Sequence, residues 1–170
     1  MATSGKVPWR LKSQHVTLFL ACLTGLLLVY VTPGSLRDDF RRGGVYILSY
    51  EFMEDIPKRF TGPGRLRFVL QPLTAIILGI LNGIADARAD RPPYVWGILF
   101  HRHLRFELIK TGFYAVVNVV LMGILMDLVC QWIILGIVHP GAALVLGPVL
   151  IVLPYAAARA FSNRLVRLMK

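Results

Sequence analysis

The sequence predicts an all-α integral membrane protein with four transmembrane helices and both termini cytoplasmic. Three observations lead to this fold class. Apolar stretches run over residues 16–31, 68–85, 111–138 and 142–158, with nearly all charges lying between them. From Thr111 to Ala158 the only formal charge is Asp127. The net charge of +10 is segregated, with bases at some ends of the apolar stretches and none at the turn His139-Pro140-Gly141. A crossing needs about 20 mostly apolar residues, with roughly 17 as a lower limit. The third stretch meets this with ease and the other three are close to the limit. With 56% hydrophobic and 16% charged residues, the composition departs from that of a soluble domain, which carries about 25% charged residues.

Residues 1–34 form a basic tail and a first transmembrane helix. Lys6, Arg10 and Lys12 precede an uncharged run from Val16 to Val31, which ends at Thr32-Pro33-Gly34. The basic region and apolar core also match a signal peptide. A retained helix is preferred because no Ala-x-Ala site follows. Residues 35–67 form a polar linker with an interfacial character. Tyr46, Tyr50 and Met53 recur three or four apart, which suits an amphipathic segment in the headgroup zone. A strand or loop packed on the helices satisfies the same residues. Pro57 and the run Thr61-Gly62-Pro63-Gly64 are expected to break any helix here.

Residues 68–110 comprise a second membrane segment and a charged loop. Its 18 uncharged residues, 68–85, include Gln71, Pro72 and Asn82. Gly79 and Gly83 place two small residues one turn apart, a surface for close helix packing. Asp86, Arg88, Asp90 and Arg91 follow, and Pro92-Pro93 is expected to stop the helix. Two carboxylates four apart suggest a metal or acid–base pair, but the neighbouring arginines supply an ordinary ion-pair explanation. Arg88 and Arg91 sit where a crossing meets the headgroups, and their planar forks suit phosphate, so they are candidate lipid or anion contacts. Tyr94 and Trp96 are candidate interfacial anchors. His101, His103 and Glu107 give a weak metal signal, because His-x-His puts the rings on different helical faces. A solvated or headgroup-facing basic segment is the preferred reading of residues 98–110.

Residues 111–170 form a transmembrane hairpin and a basic C-terminal tail. Asp127 is costly inside a bilayer unless it faces protein or water, or is protonated. Gln131, one turn on, is its expected polar contact. A proton- or cation-linked role for Asp127 is the sharper alternative to structural packing. Cys22 and Cys130 have no metal or redox spacing and are expected to be small buried hydrophobes.

Topology follows from the bases. Lys110 precedes the third span and Arg159 follows the fourth, which puts both on the cytoplasmic side and the turn at 139–141 outside. Four spans then leave residues 33–67 outside, with seven bases and five acids, including Arg65 and Arg67 at the mouth of the second span. Three spans with residues 68–85 as a re-entrant or interfacial segment are the alternative. That arrangement runs the first span against its basic tail, so four spans are preferred.

The pattern Arg67-Phe68-Val69-Leu70-Gln71-Pro72-Leu73, then Ala75-Ile76, Leu78-Gly79, Gly83, Asp86-Ala87-Arg88 and Arg91-Pro92-Pro93-Tyr94-x-Trp96, resembles a group of small bacterial inner-membrane proteins with no established activity. Gln131-Trp132-Ile133 and Pro140-Gly141 extend the similarity, which covers roughly residues 62–165. The resemblance implies a multi-pass protein of the bacterial inner membrane and no catalytic roles.

Three function classes follow in order. The first is a small structural, assembly or interaction subunit that packs against a larger membrane partner or itself, with anionic lipids around it. The second is an oligomeric transporter or channel component using Asp127. The third is a lipid-headgroup enzyme. No catalytic residue, cofactor or metal is expected, because nucleophile–base pairs, phosphate loops and zinc signatures are missing from the sequence. No basic stripe alternates with exposed aromatics, so nucleic acid is not an expected partner.

Overall fold

The computed structural model describes residues 8–62 and 64–169, with side chains from Gln14 onward except that of Arg42. Lys6 and Lys170, two of the bases that bear on orientation, lie outside the described residues, as does Pro63. The described residues form six α-helices: α1 Pro8–Arg42, α2 Tyr50–Thr61, α3 Arg67–Arg88, α4 Tyr94–Phe100, α5 Arg102–Leu135 and α6 Pro140–Leu168. A single 3-10 turn, Tyr46–Leu48, precedes α2. Among the described residues there is no strand. Four helices, α1, α3, α5 and α6, are long and apolar enough to cross a membrane, which makes this a multi-pass membrane protein.

Residues 68–85 are not re-entrant. They belong to an unbroken helix of 22 residues, about 33 Å long at about 1.5 Å per residue. Its direction follows from its contacts. Gly79 lies against Tyr155 and Ala158 of α6, and Gly83 lies against Arg159 and Ser162, so α3 runs parallel to α6. Helix α5 runs the other way: Gly123 meets Ile151, while Thr111 meets Arg159. Thr17 bonds Asn118, and Leu27 and Leu28 pack near Ile124 and Leu128, so α1 runs parallel to α5. Successive spans therefore alternate in direction. The turn at 136–139 shares one end of the bundle with the 3-10 turn and α2, while residues 89–101 share the opposite end with the C-terminal part of α6.

Several expected breaks are absent. Helix α1 runs through Pro33 to Arg42. A proline removes one backbone hydrogen bond, and a helix in a membrane protein tolerates this when nearby groups re-satisfy the backbone. The carbonyl freed by Pro33 is that of Val29, and in the turn before it the Thr32 hydroxyl donates to the Leu28 carbonyl at 2.6 Å. Pro57 likewise sits inside α2. That helix starts where the Ser49 hydroxyl accepts from the Phe52 N–H, and it stops at Gly62. Helix α3 stops as expected before Pro92-Pro93, with Asp90 at a φ of 54°. Helix α5 ends at Gly136, whose φ of 68° is left-handed and favours glycine. Pro140 then opens α6 at a position where its missing N–H costs nothing.

The α3–α6 seam is the tightest packing in the molecule. A Cβ on Gly79 would lie 2.6 Å from the Tyr155 carbonyl oxygen, and one on Gly83 would overlap Ser162 Oγ and the Arg159 carbonyl. Both glycines are therefore spent on internal packing, where the backbones approach too closely for any side chain. Beside them Ala75, Ile151, Tyr155 and Val116 form a buried cluster. We expect Gly83→Val to destabilise the fold by about 2–3 kcal/mol, because the obstacle is backbone and cannot rotate away. Thermal unfolding in mild detergent measures this, and a midpoint equal to wild type would contradict the packing.

Candidate functional site

The polar groups inside the bundle form two clusters, one toward each end. The first is built around Asp127, which is 2% exposed. Its carboxylate receives Arg67 Nη2 at 2.5 Å, Arg59 Nη1 at 3.4 Å and Gln131 Nε2 at 2.6 Å. Gln131 is therefore the contact expected from its position one turn along. The two arginines come from α2 and from the first residue of α3, and they are 1% and 8% exposed. The basic residue expected to weigh on the outer mouth of the second span is thus folded inward as a counter-charge. Arg59 was indistinguishable in sequence from any linker base.

The cluster continues into the turn of the last hairpin. The Gln131 carbonyl accepts from the backbone N–H of His139 at 2.7 Å. The His139 ring stacks on Tyr46, with centroids 3.7 Å apart and planes 12° from parallel. The Tyr46 hydroxyl donates to Asp55 Oδ2 at 2.5 Å and accepts from Arg59 Nη2 at 3.3 Å. One connected network thus joins α2, α3, α5 and the start of α6. Arg59 Nε and Arg67 Nε and Nη1 are buried without a hydrogen-bond partner among the described residues. The face of the Arg67 guanidinium lies on Phe68, 4.7 Å from the ring centroid, an attractive contact for a desolvated cation.

Burial, and then the hydrogen bond to Asp55, push the Tyr46 hydroxyl up to about 12. Burial pushes the Asp55 carboxyl up as well, but hydrogen bonds from Lys58 and Tyr46 outweigh it and hold the group below its ordinary value. The expected amphipathic face of Tyr46, Tyr50 and Met53 does not form. Tyr46 is buried in this network while Tyr50 and Met53 are exposed, because α2 begins only at Tyr50 and Tyr46 lies in the preceding turn.

The second cluster lies near the other end. Arg159 Nε donates to Asp86 Oδ2 at 2.6 Å, Nη1 to the Tyr155 hydroxyl at 2.9 Å and Nη2 to Thr111 Oγ1 at 3.2 Å. Asn82 Nδ2 donates to the Tyr155 hydroxyl at 3.1 Å. The Arg159 guanidinium also lies over Tyr94, 4.3 Å from its centroid. Tyr94 is therefore a wall of this cluster, partly buried against α5 and α6, and not an anchor free in the headgroups. Trp96 is exposed and stacks on Phe100 at 4.0 Å.

Asp86 and Asp90 do not share a helix face, because α3 ends at Arg88. Asp86 is ion-paired across the seam to Arg159, and Arg91 reaches it at 3.8 Å. Arg91 is engaged by Glu107 at 2.6 Å, and its carbonyl accepts from Asn163 and Arg167. Arg88 is exposed, with Leu81, Ile84 and Ala85 beneath it on the same helix and no ion pair among the described residues. His101 and His103 lie 6.0 Å apart by ring centroid, and Glu107 turns to Arg91. Among the described residues no group of three His, Cys, Asp or Glu side chains could hold a metal. Cys130 is buried against Gly64, whereas Cys22 lies on the exposed side of α1, contrary to its expected burial.

Removing Asp127 strands two buried guanidiniums, and breaking a buried pair in this way costs about 3–5 kcal/mol. We expect Asp127→Leu to unfold at a markedly lower temperature in detergent. The triple variant Arg59→Met, Arg67→Met, Asp127→Leu should recover most of that loss, since no uncompensated charge remains. Equal losses in the two variants would rule out the charge argument. Tyr46 gives a prediction in pH. Its hydroxyl is held above the ordinary value of about 10, so folding favours the protonated form. That stability is complete below about pH 10 and lost as pH rises toward about 12. Unfolding midpoints measured across this window should fall more steeply in wild type than in Tyr46→Phe.

No protein-family model, curated protein or solved structure matches the chain.

Proposed function

We propose that this chain is a small structural subunit of the bacterial inner membrane, assembling with a larger membrane partner or with itself. The observation that carries this reading is how the intramembrane polar groups are used. Asp127, Arg59, Arg67, Gln131, Asp86 and Arg159 all close the chain's own helix seams. A transport role needs a polar group left available along a pathway, and here the Asp127 carboxylate is enclosed by two guanidiniums and an amide. Meanwhile the hydropathic windows of α1 and α3 are only 6% and 17% buried, against 39% for α5. The α1 span thus presents most of its circumference to lipid or to another protein, while α3, packed on α6 by its glycine face, leaves Leu70, Leu73, Ile77 and Leu81 exposed.

The orientation has both termini in the cytoplasm. Arg88, Arg91, Arg102, Arg105, Lys110, Arg164 and Arg167 gather at one end of the bundle. At the other end Arg59 and Arg67 are buried around Asp127, and Lys58 is paired with Asp55, which leaves Arg37, Arg41, Arg42 and Arg65. The surplus of available bases at the first end supports a cytoplasmic assignment for it. Arg88, above an apolar rail, suits the phosphate of an anionic lipid. The α3 residues that carry the resemblance to small bacterial inner-membrane proteins, Arg67, Gly79, Gly83 and Asp86, are the ones that close the seams, which suits a shared scaffold.

Purification from membranes in mild detergent should recover the chain in a complex of fixed stoichiometry. Recovery solely as a monomer would overturn this reading. Proton-dependent flux in liposomes, lost in Asp127→Asn, would replace it with transport.

A further inference from the structure

A groove of about 370 Å³ opens between α1, α3 and α5, lined by Leu20, Leu70, Gln71, Thr74, Asn118 and Met122. Its position is deep. Asn118 lies midway along α5, and Gln71 Nε2 lies 3.5 Å from where a Cβ on Gly123 would be. The chemistry of the groove is unlike that of the two ion-pair clusters. The Asn118 carbonyl accepts from Thr17 at 2.7 Å, and the Thr74 hydroxyl donates to its own helix at Leu70. The Asn118 amide nitrogen and both ends of the Gln71 amide make no hydrogen bond among the described residues. Hydrocarbon offers a primary amide no partner, and an unsatisfied polar group at this depth is costly. An acyl chain could fill the groove but could not satisfy it.

We infer that a second copy of this chain packs on this face, with Gln71 paired to Gln71 of the second copy. This rests on the assembly reading above and names the self-contact within it. Two copies inserted in the same orientation are related by an axis along the membrane normal. Each side chain near that axis meets its own equivalent at the same depth. A primary amide is donor and acceptor at once, so two Gln71 side chains form a reciprocal pair of N–H···O bonds. The Asn118 amide nitrogen donates to the second lone pair of the same oxygen. The volume bears on what else enters. A helix is about 10–12 Å across with its side chains, too wide to lie inside the groove, whereas single side chains fit. Ile77 is 50% exposed on α3, one turn beyond Thr74 on the same side of the helix, and it fills the groove of the second copy.

The test uses the full chain in its native membrane, with Cys22→Ser and Cys130→Ser and a single cysteine at Thr74→Cys. Copper-phenanthroline oxidation should give a covalent dimer at this position and little at Leu153→Cys, on the exposed side of α6. In detergent, Gln71→Leu should weaken dimerisation about tenfold, the usual scale of one interhelical hydrogen-bonded contact, while leaving the unfolding midpoint of the monomer near wild type. Equal cross-linking at both positions, or a dimerisation constant unchanged by Gln71→Leu, overturns the inference. Recovery with a different protein but no self-contact overturns it while sparing the assembly reading. A chain that is monomeric in every preparation overturns both.

Discussion

The burial of one carboxylate, Asp127, sets the conditions that one end of this molecule, the end holding α2 and the turn of the last hairpin, has to meet. An ionised group in a low-dielectric region is stable only with a close counter-charge and filled hydrogen-bonding positions. No base on α5 lies within a turn of it. The counter-charges therefore come from α2 and from the first residue of α3, which fixes where both elements dock. Once Arg59 and Arg67 are inside, the linker that carries them is drawn over the end of the hairpin. Tyr46 and His139 then stack, and Gln131 ties the turn to the same carboxylate. A segment composed like a surface loop becomes a cap.

The opposite end solves a similar problem with different parts. Asp86 near the end of α3 meets Arg159 of α6, and the remaining guanidinium nitrogens are filled by Tyr155 and Thr111. Between the two clusters the contact between α3 and α6 is steric. Gly79 and Gly83 let the backbones come within reach of one another, and no hydrophobic driving force exists there to compensate for a poor fit in lipid. An ion pair at each end and a glycine seam between them set the tilt, depth and rotation of α3. That is why a helix with Pro72 and Asn82 in it still crosses.

Much of this was legible in the residues. The four spans follow from hydropathy, and the expected contact of Gln131 with Asp127 follows from a spacing of four on a helix. The small residues at 79 and 83 correctly marked a packing face. Other readings failed for identifiable reasons. Pro33 and Pro57 are strong helix breakers in water, where the freed carbonyl finds solvent, but here both helices run through them. Asp86 was assigned to its arginine neighbours in sequence, and Arg91 does reach it at 3.8 Å, but the closer cation, Arg159, comes from 73 residues away. Arg67 was counted as an exposed base at the mouth of a span, though an unpaired acid deep in α5 was a signal that some base had to fold inward. Tyr94 has the composition of an interfacial anchor and became a wall for Arg159 instead.

By itself the sequence determined the membrane class and the number of helices long and apolar enough to cross. These depend on local quantities, namely the length of apolar runs and the charges at their ends. The tertiary structure decided which base neutralises which acid, which helix the glycines face and which polar groups are left without a partner in the groove. Those outcomes depend on the relative depth and rotation of helices far apart in the chain. No local pattern encodes that geometry, because it is set jointly by the need to pair every buried charge and to bring two backbones into contact.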